Sequence, residues 1–158
     1  MGAAGAGKTT IGARLAADLT WPFVDGDDRH PPRNVAKMHA GIALTDADRA
    51  PWLASLHATV ARATDRRENL VLACSALTRS YREVLRGDSR SVRFVYLKTS
   101  EGELSRRLSD RTGHFVGPAL LASQLATLEE PSSQEALTLD AGWTPDRIVR
   151  AIRREFGV

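Results

Sequence analysis

The chain has 158 residues, 42% hydrophobic and 26% charged, with a formal net charge of +3; this is one domain's worth of sequence, 1–158, with enough apolar residues for a sizeable core. No apolar run is long enough to span a membrane, no basic-then-apolar leader opens the sequence, and a lone cysteine, Cys74, excludes an internal disulfide framework and suits a reducing cytoplasm. The positive charge is 19 arginines against Lys8, Lys37 and Lys98, dispersed among acids, and aromatics are only 6%, so neither a basic stripe nor a stacking platform for nucleic acid stands out.

In chain order, the first feature is Gly2-Ala3-Ala4-Gly5-Ala6-Gly7-Lys8-Thr9, which fits Gly, four residues, then Gly-Lys-Thr. Such glycines let backbone N–H groups converge on phosphate oxygens at a helix N-terminus. Lys8 reaches the transferring phosphate and Thr9 offers a hydroxyl to Mg2+, with Thr10 following in the first turn. A chance glycine-rich turn is the bland alternative. Against it, Ile11, Leu15 and Leu19 fall on one face of a helix that starts at once. A loop of this kind ordinarily follows a buried strand, and here only Met1 precedes Gly2. The expectation is therefore a domain whose first strand has no residues of its own, because the start lies upstream, the chain is shortened, or the fold does without it.

Pro22 to Asp25 reads as a short strand running into the acidic turn Asp25-Gly26-Asp27-Asp28. A solvated turn is the alternative for clustered acids. No carboxylate follows the later strand at Leu70 to Cys74, which makes Asp25 the candidate for orienting metal-bound water. Asp27, two residues on, points toward an acceptor hydroxyl and can take its proton. His30, Pro31, Pro32 and Arg33 then supply a stiff polar rim for an oxygen-rich anion.

Thr45-Asp46-Ala47-Asp48 forms a capping box for a long helix with Trp52, Leu53, Leu56 and Val60 inward. Leu70–Cys74 and Val92–Leu97 have the length of buried strands. Arg82, about two turns beyond the first of these, either faces the crevice at the strand ends or is a solvated helix arginine. A second capping box at Ser100 opens a helix through Arg107. The segment Arg106 to Phe115 reads as a mobile lid carrying arginines. Pro118 starts another helix, Ala136–Leu139 is a last strand, and Thr144-Pro145 caps a helix with Ile148, Val149 and Ile152 inward. Strands alternating with helices predict an α/β fold, a parallel sheet flanked by helices.

At these residues the chain resembles the bacterial-type gluconokinases among the P-loop small-molecule kinases. The likeness runs through Gly2–Thr9, the Asp25–Pro31 segment, Asn34 with Lys37-Met38, Gly41 to Leu53, Cys74–Leu77 with Tyr81-Arg82, Gly113–Phe115, Ser123-Gln124 and Leu128–Pro131. It departs from that pattern at Pro32, Ala43 and Thr78. The resemblance implies ATP- and Mg2+-dependent phosphorylation of D-gluconate at its 6-hydroxyl by a cytoplasmic enzyme, often a homodimer. It also implies a nucleoside-monophosphate-kinase-like fold with a lid near 106–130. By that resemblance Lys8 and Thr9 bind ATP and Mg2+, and Asp25 and Asp27 are the acidic pair. His30, Arg33, Arg82, His114 and Gln124 attend the sugar acid, Arg107 and Arg111 the transferring phosphate, and Gly142 and Trp143 the adenine. Alternatives are a related kinase of another hydroxy acid, such as a shikimate-like substrate, or a non-catalytic nucleotide-binding module.

Overall fold

A computed structural model describes residues 1–109 and 117–158. The chain builds α1 (Lys8–Leu19), β1 (Phe23–Asp25), a single 3-10 turn (Asp27–Arg29), α2 (Pro32–His39) and α3 (Asp46–Asp65). There follow β2 (Val71–Ala73), α4 (Arg79–Arg86), β3 (Phe94–Lys98), α5 (Glu101–Ser109), α6 (Pro118–Thr127), β4 (Ala136–Asp140) and α7 (Pro145–Phe156).

The strands pair in parallel, as expected, but in two sheets: β1 with β2, Phe23 opposite Val71 through Asp25 opposite Ala73, and β3 with β4, Phe94 opposite Ala136 through Lys98 opposite Asp140. Between them lies the backbone of Met1 and Gly2. The Met1 amino group donates to Val95 O at 2.5 Å, Met1 O accepts from Leu97 N at 3.0 Å, and Gly2 N donates to Ser75 O at 3.1 Å. Gly2 sits here with φ +139°, and a Cβ would lie 3.0 Å from Leu97 O, a close approach that glycine alone tolerates. Beside Met1, a cavity of about 640 Å³ is lined by Ile11, Leu15, Val71, Leu72, Phe94 and Val95. Met1 thus bonds to β3 while Gly2 bonds to the loop after β2, and together they join the two sheets.

One core cluster joins α1, α7 and the β3–β4 sheet through Ile11, Leu15, Leu97, Leu139, Ile148, Val149 and Ile152; a second joins α3 and α4 to β2 through Trp52, Leu53, Leu56, Cys74, Tyr81 and Leu85. Ala3 and Ala6 are buried in the first cluster, so the phosphate loop offers a ligand its backbone rather than these side chains. Gly12 lets α1 lie against β1, where a Cβ would meet the Phe23 ring at 2.7 Å.

The predicted cap of α3 forms as a capping box: Asp48 N donates to Thr45 Oγ1 at 3.2 Å, and Thr45 N donates to Asp48 Oδ2 at 2.9 Å. Ser100 does only half of this, accepting from Glu103 N at 3.4 Å while the Glu103 carboxylate turns to Arg106 and Arg107. The helix Pro32–His39 is an element the sequence pattern did not announce. Its paired prolines read as a rigid rim, yet Pro32 sits in the first turn, where no N–H is needed. Its anchor is polar: Asn34, fully buried, donates from Nδ2 to Asp48 O at 2.8 Å.

Candidate active site

The site is built where the parallel strands end. α1 begins on Gly7, in the left-handed region at φ +89°; no side chain caps its first turn and no acid stands there. Its leading N–H groups and dipole therefore favour an anion. Lys8 Nζ folds back to donate to Ala3 O at 3.0 Å, so it lies over the loop it belongs to.

The turn after β1 brings the acidic segment to this point. Gly26 N donates to Ala73 O at 2.7 Å, and a Cβ on Gly26 would stand 2.8 Å from that same oxygen. This crossing requires glycine. Asp25, last residue of β1, accepts from Thr9 Oγ1 through Oδ2 at 2.7 Å and from Asp27 N through Oδ1 at 3.0 Å. Both metal candidates therefore meet, and a hydroxyl beside a carboxylate fits Mg2+, which binds hard oxygens and completes its shell with water and phosphate. Among the described residues, no three His, Cys, Asp or Glu side chains converge as a protein-only metal cage. Asp27 opens the 3-10 turn with its residue exposed.

His30 closes that turn and stacks on Trp52, ring centroids 4.4 Å apart and planes 10° from parallel. Trp52 is 1% exposed and donates its indole N–H to Gly26 O at 2.7 Å. It thus braces both the acidic turn and the His30 ring. Burial pushes the His30 pKa below the usual histidine range; Asp27 works in the opposite sense and Arg49 adds to the depression.

Sequence reasoning missed Arg49. It stands near the N-terminal end of α3, where a cation opposes the helix dipole, and that misplacement was the available signal. Its side chain is 13% exposed, donates to the Tyr81 hydroxyl at 3.2 Å, lies 3.7 Å from Asp46 and stacks on the Tyr81 ring. Tyr81 in turn donates to Asp46. Lys37, Asp48 and Asn34 form a further polar layer: Lys37 Nζ donates to both Asp48 oxygens at 2.8 and 2.7 Å. These bonds, with those from Thr45, hold the Asp48 carboxyl far below the usual carboxylate range.

Other predicted residues stand elsewhere. Arg82 does not face the crevice, nor is it a solvated arginine. It is 2% exposed; Nε and Nη2 donate to the Glu135 carboxylate at 2.7 and 3.2 Å, and Nη1 donates to the Ala76, Leu77 and Glu129 carbonyls at 3.2, 3.1 and 3.0 Å. Its fork is filled by protein groups, and it pins the loop after β2, where Ala76 is held at φ +43°. Gln124, expected at the sugar acid, accepts from Ala4 N at 2.8 Å through Oε1 and so braces the phosphate loop. Arg107 donates to Glu103 at 2.7 Å and to Ala141 O at 2.9 Å. That aims it at the loop after β4, not at the phosphate loop. In the loop after β4, Gly142 is exposed with its N–H on Asp140 Oδ1 at 2.7 Å, and Trp143 lies under Arg147, 3.8 Å from guanidinium to ring centroid. Arg33 and Thr10 are exposed in the first turns of α2 and α1. Arg111 and His114 lie outside the described residues, as does the middle of the expected lid. Of that lid, α6 buries Leu120 and Leu121. Thr78, where the resemblance expects a basic residue, caps α4 by accepting from Tyr81 N.

The shikimate kinase family model matches residues 4–140. A gluconokinase of Gluconobacter oxydans is 50% identical over 157 residues, covering 99% of this chain and 88% of that protein. The thermosensitive gluconokinase of Escherichia coli is 42% identical over 135 residues, covering 85% of this chain and 72% of its own. Among solved structures, a Sinorhizobium meliloti gluconokinase superposes with a TM-score of 0.84 at 43% identity, over 95% of this chain and 85% of that one. A sugar kinase from Janibacter reaches a TM-score of 0.92 at 39% identity, over 100% and 92%.

Proposed function

Because this chain belongs to the shikimate kinase family and, within it, to the gluconokinases, we propose that it transfers the terminal phosphoryl group of ATP to the 6-hydroxyl of D-gluconate. The observation that carries the reading is the Thr9–Asp25 hydrogen bond at 2.7 Å. It closes the phosphate loop onto the acidic segment, so donor and acceptor meet at one point.

The leading N–H groups of α1 bind the phosphates, and Lys8 leaves the Ala3 carbonyl to follow charge onto the transferring group. Thr9 and Asp25 would hold Mg2+, which when bound neutralises charge on the phosphates. Asp27 orients the attacking hydroxyl and takes its proton. Arg49, Arg33 and His30 surround the acceptor with donors suited to a carboxylate and hydroxyls. Arg49 thus adds a cation that the sequence did not single out, while Arg82, expected at the sugar acid, is held by Glu135. Positioning and charge stabilisation, without a covalent intermediate, supply the rate. The reading includes a cytoplasmic enzyme and a homodimer, the latter checked by light scattering.

Coupled measurement of ADP release over a panel of sugar acids and shikimate tests the proposal. Gluconate is expected to give the highest kcat/KM; equal or better turnover of another acid would overturn the substrate. ATP binding without release for any acid would leave a nucleotide-binding module.

A further inference from the structure

His30 lies beside a residue able to decide which of its ring nitrogens carries the hydrogen. Asn34 Nδ2 is 2.8 Å from Asp48 O and 3.4 Å from His30 Nδ1, while Asn34 Oδ1 is buried with no hydrogen-bond partner among the described residues. A carbonyl only accepts, so the amide must present nitrogen to Asp48 O; the flipped amide would set two acceptors face to face. One N–H of that nitrogen serves Asp48 O and the other is left for His30. A ring nitrogen that receives an N–H cannot hold a hydrogen of its own. The orphaned Oδ1 costs stability, and its presence marks the amide as kept for its NH2 end.

We infer that Asn34 is a positioning residue that fixes His30 as the neutral tautomer with hydrogen on Nε2, so that His30 donates to the acceptor and cannot take its proton. The inference rests on the reading of Asp25–His30 as the acceptor side. Protonating Nδ1 would set two N–H groups against each other at 3.4 Å. The Trp52 face leaves the ring little freedom to turn away. The charged groups acting on the ring are Asp27, which favours the cation, and Arg49, which opposes it along with burial. Proton acceptance thus falls to Asp27 alone, and His30 is a fixed donor for a hydroxyl or carboxylate oxygen.

Long-range 1H–15N correlation of the imidazole in the intact wild-type protein tests this without any turnover. The expected spectrum shows Nδ1 unprotonated and Nε2 protonated at neutral pH. A hydrogen on Nδ1, or an even mixture of tautomers, would overturn the inference while leaving the gluconate reading standing. In Asn34→Asp the carboxylate should draw the hydrogen to Nδ1, raise the His30 titration midpoint and raise KM for gluconate by about tenfold, with a smaller change in kcat. His30→Gln, which retains a side-chain N–H, should keep more of the gluconate affinity than His30→Ala. Equal losses in those two variants, chiefly in kcat, would instead mark His30 as the base.

Discussion

Single side chains divide this site into charge carriers and braces. Lys8→Ala should lower phosphoryl transfer by at least about 10³-fold with an unchanged circular dichroism spectrum, because the Lys8 amine donates to a carbonyl of its own loop. Asp27→Asn should lower kcat by about 10²–10⁴-fold with ATP binding retained; near-normal turnover would remove Asp27 from the chemistry. Asp48 gives a pH signature. Its folded-state pKa is depressed, so the stability it adds is fully present above the ordinary aspartate value and is lost as pH falls from there toward the folded value. The melting temperatures of the wild type and Asp48→Asn should therefore differ most at pH 7, and the gap should begin to narrow only once pH falls below the ordinary aspartate value. The Lys8, Thr9, Asp25 and Asp27 grouping was legible because a glycine pattern and an acidic strand end are local features. Arg49 was missed and Arg82 misplaced because an arginine's surroundings are set by segments distant in sequence, here Tyr81 and Glu135.

At the level of elements, the helices with strong caps or apolar periodicity fall where the pattern puts them, α1, α3 and α7 most plainly. α2 escaped because it is short and its anchor is Asn34 on Asp48 O, a bond without sequence periodicity. The single predicted sheet became two because pairing needs a partner edge, which local propensity does not report. α4 is riveted rather than merely packed: Arg82 ties it to the loops after β2 and before β4. Arg82→Ala leaves Glu135 unpaired and three carbonyls short of a donor, and should cost about 3–5 kcal/mol. Denaturant unfolding reads this directly. KM for gluconate in the remaining folded enzyme should stay near wild type, which separates bracing from substrate contact.

Across the whole molecule, the join between the two sheets rests on Met1 and Gly2, beside a cavity of about 640 Å³ whose lining mixes apolar side chains with charged ones such as Arg67, Glu68 and Arg93. A version carrying a short β-branched run ahead of Met1 should lay that run between β2 and β3. Each side chain so buried is worth about 1.5–3 kcal/mol, and the melting temperature should rise by roughly 5 °C or more; no rise in calorimetry would show that the cavity does not admit a strand. The tryptophans have a consequence of another kind. Trp52 lies under His30 at the acceptor end, and Trp143 lies under Arg147 in the loop read as the adenine side. On the proposed reading of these two ends, each tryptophan is an intrinsic optical reporter for one substrate. Stopped-flow fluorescence of Trp52→Phe and Trp143→Phe variants, with Trp21 as common background, would show in what sequence ATP and gluconate arrive.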